Sequence, residues 1–294
     1  MSEVSVIIPT YNCGPYILDC VNSVLKQTFQ DYEIIIIDDG SRDNTKELLE
    51  PFLKNGRIYY FYQENKGLPG ARNAGIRLAK GKYILDLDAD DELVADAIQK
   101  LVESAKVHNA QWVISDMCRI ENNITEIQKA ILPSQDPIMD FMTHKTNFSS
   151  HFYTKECLQD IDMYDESQKC YEDWELYVRL FEARASYSYV AEPLYIYKIR
   201  KNSLTKQSTL KRNFFYTEQI YKKHYKRLAD DGGEDFHHLY AQGMWRLASD
   251  YFFKAGSFTG MLRCLSESIK YDSSIFKRYI AKGLRVNLKY KKVI

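Results

Sequence analysis

The chain has 294 residues, 45% of them hydrophobic, which is enough to form a sizeable core in one large domain or in one domain with an appendage. Its 40 basic and 40 acidic residues cancel, so the overall charge does not indicate a nucleic-acid partner. The six cysteines show no Cys-x-x-Cys spacing, which argues against a zinc site and a disulfide scaffold, and no apolar run approaches the roughly 18 residues of a membrane-spanning helix.

The first part of the chain predicts strands and helices in regular alternation. Apolar, β-branched runs without polar alternation are typical of strands buried on both faces, and the stretches between them have helical spacing. We predict strands at 4–9, 33–37, 58–62, 83–87 and 112–115, separated by helices at 16–25, 44–52, 68–79 and 95–108. This βαβαβαβαβ order implies an α/β fold with a mostly parallel sheet and helices on both of its faces.

The pattern changes after about residue 120. An irregular stretch leads to a helix predicted at 171–182, two short strands at 187–190 and 195–199, and helices at 214–228, 236–255, 258–271 and from 275 onward. A polar join lies between Ser203 and Thr209. We therefore predict a main domain over 1–207, with halves at 1–118 and 119–207, followed by a helical C-terminal region over 208–294.

Four carboxylates crowd the end of the strand predicted at 83–87. They are Asp86, Asp88, Asp90 and Asp91. Because like charges repel, this crowding raises the energy of the fold unless a cation lies among them. Oxygen ligands suit Mg²⁺ or Mn²⁺, which is often held by one or two carboxylates together with substrate phosphates. The alternative is a solvated acidic turn in which Asp91 or Glu92 begins the next helix.

Polar segments also follow other predicted strands, at 9–12, 38–41 and 64–67. Since parallel strands end at one edge of a sheet, their side chains should converge on one crevice, although each segment alone could be turn or helix-cap chemistry. Glycines in the segment 65–75 would let backbone N–H groups approach an anion near Arg72. The chain has no Walker sequence and no GxGxxG after its first strand, which argues against a dinucleotide-binding fold.

Four motifs resemble, in the right order, those of family 2 glycosyltransferases of the A-type (GT-A) fold. They are VSVIIPTYN at 4–12, DDGS at 38–41 with Asn44-Thr45 after it, GARNAG at 70–75 and DADD at 88–91. The resemblance covers roughly the first 200 residues and is highly specific in combination. It implies a Rossmann-like fold, in which 1–118 is the nucleotide-sugar-binding half and 119–207 the acceptor-binding half.

The same resemblance implies a donor site. The residues that would bind the nucleotide sugar, usually a uridine one, are Pro9, Thr10, Tyr11, Asp39, Arg72 and Asp88. Asp88 and Asp90 would form the Asp-x-Asp pair and hold a divalent cation, Mn²⁺ or Mg²⁺, that bridges the diphosphate.

A second element, Tyr-Glu-Asp-Trp at 171–174, resembles the Glu-Asp pair that this family carries at a helix start. By resemblance Asp173 is the general base, since an inverting transfer needs a carboxylate opposite the leaving diphosphate. A helix N-terminus lowers the basicity of a carboxylate, so desolvation by Trp174 and the acceptor would have to offset that effect. The alternative is that Glu172 and Asp173 only complement the helix dipole.

One segment departs from the family. A Tyr-Arg-x-His-like segment followed by Ser is here Tyr197-Lys198-Ile199-Arg200, so Arg200 stands where a histidine is expected. An arginine cannot ligate a cation but can neutralise a diphosphate, which leaves the third protein ligand of the metal open. We interpret His151 and the pair His237-His238 as surface or packing residues.

The resemblance implies a glycosyltransferase that moves a hexosyl or N-acetylhexosaminyl group from a nucleotide sugar, UDP-linked, to a hydroxyl of a glycan or lipid-linked acceptor in bacterial polysaccharide synthesis. Two alternatives are a silent sugar-binding or scaffold subunit and a nucleotidyltransferase; the latter predicts a Gly-rich basic loop after the first strand. Because a strand follows Met1 almost at once and the cysteines suit free thiols, we expect no signal peptide and a cytoplasmic location. The sequence does not determine the oligomeric state, and a homo-oligomer is one possibility.

The segment 276–294 is strongly basic. It contains seven Lys or Arg and no Asp or Glu, and Phe276, Ile280, Leu284 and Leu288 recur at every fourth position. This pattern suits a helix lying on an anionic bilayer, which would bring the protein to the inner face of the plasma membrane. The alternative is a stripe packed on the preceding helices, and Gly283 weakens the helix prediction.

Overall fold

A computed structural model describes residues 2–133, 140, 149–200, 209–226, 229–230 and 234–274. The chain divides into two units, one formed by residues 1–135 and 146–203 and the other by 136–145 and 204–294. The basic segment 276–294 lies outside the described residues, as does the helix predicted from 275 onward.

The first unit carries the sheet. Its strands are β1 (Val4–Thr10), β2 (Tyr32–Asp38), β3 (Ile58–Tyr62), β4 (Tyr83–Asp86), β5 (Glu92–Leu93), β6 (Trp112–Glu121), β7 (Ile124–Gln128), β8 (Ser149–Thr154) and β9 (Tyr187–Ile199). Its helices are α1 (Ile17–Leu25), α2 (Thr45–Leu49), a 3₁₀ turn at Phe52–Lys54, α3 (Leu68–Leu78), α4 (Ala97–His108), α5 (Lys155–Asp160) and α6 (Glu172–Glu182).

The described part of the second unit is helical. It contains α7 (Leu210–Ile220), a π-helical turn at Tyr221–Tyr225, α8 (Glu234–Phe253) and α9 (Phe258–Tyr271). Within the described residues, no helix combines the length and the apolar character needed to cross a bilayer.

The strand order is β3-β2-β1-β4-β8-β6-β9-β5, and β7 pairs with β6. Strands β3, β2, β1 and β4 are parallel, so their carboxyl ends share one edge of the sheet. Beyond β4 the sheet is mixed, because β8 runs antiparallel to both β4 and β6 while β9 runs parallel to β6. The predicted α/β class with a helical C-terminal part is confirmed.

Among the features that differ from the prediction, two concern strands β6, β7 and β9. Strand β9 is continuous where two strands were expected, because register shifts against β6 between Ser115 and Met117 accommodate its middle part. Strands β6 and β7 form a hairpin in a stretch that the sequence left irregular. Its turn residues Asn122 and Asn123 have φ of 50° and 64°, the left-handed conformation that suits a two-residue hairpin turn.

The core explains how the site is placed. All residues of β1 and β2 are buried, as their uninterrupted apolar runs predicted. Helix α3 packs closely on β1 because Gly75 has no side chain: a Cβ there would overlap the side chain of Ile7. This close approach brings Arg72, one turn earlier on the same helix, to the carboxyl edge of the parallel strands.

Candidate active site

The loops after β1 and β2 are joined by hydrogen bonds. Asn12 adopts a left-handed backbone with φ of 53°. Its amide donates to Ser41 Oγ at 2.9 Å, and its Oδ1 accepts from the amide of Arg42 at 2.8 Å. The amide of Gly14 donates to Asp43 Oδ2 at 2.9 Å. The two loops therefore form one cradle, which we define as residues 10–14 and 39–43.

The two aspartates of the DDGS motif have different partners. Asp38 accepts from the Ser41 amide at 2.7 Å and from the Tyr60 hydroxyl at 2.5 Å, so it shapes the turn. Asp39 is 2% exposed and accepts from the amides of Lys66 and Gly67, both at 2.8 Å, and from Gln63 Nε2 at 2.7 Å. Asp39 thus fixes the loop after β3 to the cradle. Because a carboxylate has about four acceptor positions and three are used here, Asp39 can accept about one more donor from a ligand.

Two neighbouring side chains at the end of β1 are suited to a ligand. The hydroxyl of Thr10 is buried and has no hydrogen-bond partner among the described residues. A buried hydroxyl left in this state costs about 1–3 kcal/mol, which a ligand group could recover. The ring of Tyr11 is 50% exposed and offers an aromatic face, while Pro9 is buried within β1.

Arg72 connects two carboxylates that are far apart in the sequence. Its Nη2 lies 2.8 Å from Asp88 Oδ1 and its Nη1 lies 2.9 Å from Glu172 Oε1. The guanidinium also lies over the ring of Tyr164, 5.2 Å from its centroid. Burial lowers the pKa of Arg72, but Asp88 and the other surrounding oxygens outweigh burial and raise it well above its ordinary value. Arg72 therefore carries a permanent charge inside the site.

The acids after β4 have distinct environments. The Asp88 side chain is 31% exposed, with one oxygen bound by Arg72. Burial, reinforced by the charge of Asp88 and opposed by Arg200, raises the pKa of Asp90 to about 6. Asp91 is buried, and Glu92 lies in β5. Neither Asp91 nor Glu92 begins a helix, because α4 begins at Ala97, so the helix-start part of that alternative is wrong.

Asp88 and Asp90 fit a hard divalent cation in part. They provide carboxylate oxygens, and since burial first and the charge of Asp88 second raise the pKa of Asp90, a cation beside the pair would stabilise its charged form. Among the residues that the structure describes, no three His, Cys, Asp or Glu side chains are grouped as a complete metal site. The pair would thus need substrate phosphates and water to complete the coordination.

Arg200 lies beside this pair. Its Nη2 donates to the carbonyl of Asp90 at 2.9 Å, and its guanidinium stacks on the ring of Tyr16, 3.8 Å from the centroid. Its Nε is buried without a hydrogen-bond partner in the described part of the chain. Arg200 therefore places a positive charge at the position where the family has a histidine and where the sequence did not assign a third metal ligand.

The Glu-Asp pair opens helix α6, after Tyr171 in a left-handed conformation with φ of 58°. Burial raises the pKa of Glu172 to about 7 although Arg72 opposes it. Burial also raises the pKa of Asp173, against the effects of Arg72 and of the Trp174 amide, which donates to Asp173 Oδ1 at 2.7 Å. The helix N-terminus lowers the pKa of Asp173 and desolvation raises it, and the effect of desolvation is the larger.

The sequence analysis named Asp86 among the crowded acids and His151 as a surface or packing residue, but it did not predict the contacts that they make. Asp86 is buried in β4 and accepts from the Tyr164 hydroxyl at 2.7 Å, and burial raises its pKa to about 6. His151 stacks on Tyr195, with ring centroids 4.0 Å apart. The signal for Asp86 was its position at the end of an apolar strand, two residues before Asp88. His151 and Tyr195 had no comparable signal, since both depend on the register of β8 and β9.

The other histidines interpreted as surface or packing residues lie in the second unit. His238 Nδ1 is 2.5 Å from Asp272 Oδ2, and His237 lies edge-on to Tyr271 with ring centroids 5.7 Å apart. Both contacts are local to α8 and the end of α9.

The sequence is similar to a glycosyltransferase family model and to individual glycosyltransferases. A model of the family described as Glycosyl transferase family 2 matches residues 5–165. Glycosyltransferase GlyG of Streptococcus pneumoniae is 43% identical over 119 residues, which are 40% of this chain and 40% of that protein. The uncharacterized glycosyltransferase EpsJ of Bacillus subtilis is 31% identical over 219 residues, 69% of this chain and 62% of that protein. Chondroitin synthase of Escherichia coli is 46% identical over 97 residues, 33% of this chain and 14% of that protein. The chain thus spans less than two thirds of each of these relatives.

Solved structures show the same fold. TarS 1-349 of S. aureus, in complex with UDP-GlcNAc, superposes with a TM-score of 0.71 at 19% identity, over 92% of this chain and 81% of that chain. Mannosyltransferase PcManGT of Pyrobaculum calidifontis, in complex with GDP-Man and Mn²⁺, has a TM-score of 0.60 at 14% identity, over 97% and 80% of the two chains. With its GT-A fold and a family match across more than half of its length, the chain belongs to glycosyl transferase family 2.

Proposed function

We propose that this protein is an inverting glycosyltransferase that uses a divalent cation and moves a sugar from a UDP-linked donor to a hydroxyl of a glycan or lipid-linked acceptor. The observation that carries this proposal is the double contact of Arg72, which joins Asp88 of the donor motif to Glu172, the neighbour of Asp173. Residues for leaving-group and acceptor chemistry thereby meet in one network. The relatives chondroitin synthase and UDP-GlcNAc-bound TarS support a UDP-sugar and cell-surface polysaccharide synthesis.

The donor nucleoside would bind at the cradle. The buried Thr10 hydroxyl supplies a hydrogen-bonding group, Tyr11 an aromatic face, and Asp39 an acceptor for a base N–H. Pro9 fixes the backbone that presents them, since it lies within the buried strand β1. Arg72 holds Asp88 and Glu172 through its two terminal nitrogens, and its buried Nε, which has no hydrogen-bond partner among the described residues, would donate to the nucleotide sugar.

The diphosphate would lie beside Asp88 and Asp90, which would hold Mn²⁺ or Mg²⁺. When bound, that ion supplies charge that stabilises the departing diphosphate. Arg200 adds a fixed positive charge next to the same pair, and its buried Nε is available to a phosphate oxygen. Two positive charges would therefore face the diphosphate, the divalent cation and the guanidinium of Arg200.

Asp173 would act as the general base. It takes the proton of the acceptor hydroxyl as that oxygen bonds to the anomeric carbon and the bond from this carbon to the diphosphate breaks, which inverts the configuration. Because burial raises the pKa of Asp173, its basicity is greater than that of an exposed aspartate. Glu172 contributes by anchoring Arg72 at the start of α6.

The segment 276–294 would attach the protein to the cytoplasmic face of an anionic membrane. Each Lys or Arg near such a surface contributes about 1 kcal/mol, and less at high salt. A lipid-linked acceptor would give this attachment a purpose, because it concentrates enzyme and substrate on one surface.

A thermal-shift screen of nucleotide sugars with and without Mn²⁺ tests the function. A donor at 100 times its dissociation constant should stabilise the protein by about 2.7 kcal/mol. We expect a shift with a UDP-sugar that requires Mn²⁺, followed by transfer to an acceptor. Binding without any transfer would favour the silent subunit, and the absence of a shift with every nucleotide sugar would contradict the proposal.

A further inference from the structure

We infer that Tyr195 and Asp91 are positioning residues that set the geometry of the Asp88–Asp90 cation site, an inference that rests on the function proposed above. Tyr195 lies in β9, and its hydroxyl makes two hydrogen bonds to the loop after β4. It accepts from the amide of Asp88 at 3.1 Å and donates to Asp91 Oδ2 at 2.9 Å. One hydroxyl therefore bridges the first and the last acid of the DADD motif.

The Asp91 carboxylate is committed to this bridge. It is 1% exposed, and its other oxygen accepts from the amide of Lys198, also in β9, at 2.8 Å. The amide of Asp91 donates to the carbonyl of Asp88 at 3.0 Å and closes the turn that contains Asp90. The third acid of the motif thus shapes the turn, and the other two acids are left to hold the ion.

Tyr195 is itself held in place. Its ring is buried and stacks on His151 of β8, with ring centroids 4.0 Å apart and planes inclined by 16°. Just beyond the end of β9, Arg200 binds the carbonyl of Asp90. The same strand and its extension therefore bind the DADD loop at three points.

Contacts of this kind orient metal ligands, and their loss typically reduces metal affinity roughly 10- to 100-fold. We expect Tyr195→Phe, which removes only the hydroxyl, to weaken Mn²⁺ binding by that factor and to leave UDP binding without metal unchanged. Tyr189→Phe is the matched control, since Tyr189 also lies in β9 and its hydroxyl donates to Asp116 at 2.6 Å.

Electron paramagnetic resonance on the full chain with UDP present measures Mn²⁺ affinity, and calorimetry measures UDP affinity without metal. Loss of Mn²⁺ affinity in Tyr195→Phe, with Tyr189→Phe unchanged, supports the inference. Wild-type Mn²⁺ affinity in Tyr195→Phe overturns it. An equal fall in metal-free UDP affinity also overturns it, because the damage would then be general.

A second pair of variants separates geometry from charge. Asp91→Asn keeps an acceptor for the Lys198 amide and offers an N–H donor to the Tyr195 oxygen, whereas Asp91→Ala removes both contacts. A positioning role predicts much tighter Mn²⁺ binding in Asp91→Asn than in Asp91→Ala; equal losses would overturn it.

Asp90→Asn in the same assay tests the underlying function. Unchanged Mn²⁺ binding in this variant would reject the proposed metal site itself. Loss of binding there, together with wild-type binding in Tyr195→Phe, would reject only the positioning role.

Discussion

Arg72 and Glu172 are separated by 100 positions in the sequence, yet Arg72 Nη1 lies 2.9 Å from Glu172 Oε1. This contact fixes the start of α6 against α3 and so determines where Asp173 lies relative to the acids after β4. A buried arginine between two carboxylates is stable only as a set, because removing one member leaves uncompensated charge.

Arg72→Lys should therefore destabilise the protein even though it keeps the positive charge. A lysine ammonium is a point charge without the planar fork that lets Arg72 bind Asp88 and Glu172 at once, so one carboxylate would lose its partner. We expect a loss of about 1–3 kcal/mol in the free energy of unfolding, measured by urea denaturation. Arg57→Lys, at an exposed arginine bonded to Gln30, is the control, and equal stabilities of the two variants would disprove the argument.

Asp90→Asn should abolish the Mn²⁺-dependent part of UDP binding and leave the fold intact. The amide keeps the size of the side chain but removes the charge that a hard cation needs. Calorimetry of UDP binding with and without Mn²⁺ measures the effect, with exposed Asp31→Asn as the control. Unchanged Mn²⁺-dependent binding in Asp90→Asn would refute its role as a ligand.

Asp173→Asn should lower kcat by a factor of roughly 10² or more and leave donor affinity near that of the wild type. The reason is that, in the proposed mechanism, Asp173 acts on the acceptor and not on the nucleotide. Steady-state kinetics and donor calorimetry are compared with Asp160→Asn, an exposed residue at the end of α5. Turnover near that of the wild type would show that Asp173 is not the base and only complements the helix dipole.

Activity should fall as the pH decreases, and at a higher pH than an ordinary aspartate would give. The base must be ionised, and burial raises the pKa of Asp173, so the active form is lost as the pH drops through this raised pKa. The neighbouring Glu172, with a pKa of about 7, is also protonated as the pH falls. Arg72 then loses the negative charge of one of its two partners. A pH profile of kcat at saturating donor checks this. Full activity down to about pH 4, the range of a free aspartate, would be inconsistent with a base whose pKa is raised.

The full chain should float with liposomes that contain anionic lipid, and a chain ending at Ser274 should not. The seven basic residues of 276–294 supply the attraction, which should weaken as salt is added. Neutral liposomes are the control. If both chains float equally, the C-terminal segment is not the membrane contact.

How much of this could be read from the sequence depends on the range of the interaction. The strand ends with Thr10, Asp39 and Asp88 were predictable, because parallel topology alone brings successive strand ends to one edge. The pairing of Tyr195 with Asp91 was not, since it depends on β9 returning beside β5, and neither hydrophobic period nor turn chemistry specifies that register. The Asn122-Asn123 turn carried a local signal for a hairpin, but the polar residues around it obscured the strands.

The hydrogen bonds that close the cradle, from Asn12 to Ser41 and from Gly14 to Asp43, have a kinetic consequence. Because its own contacts already assemble the cradle, the two loops lose little conformational entropy when a nucleoside binds. The free energy of nucleoside binding is therefore not lowered by the cost of ordering them. Association of the nucleoside of the proposed donor should accordingly behave as simple binding to a preorganised surface.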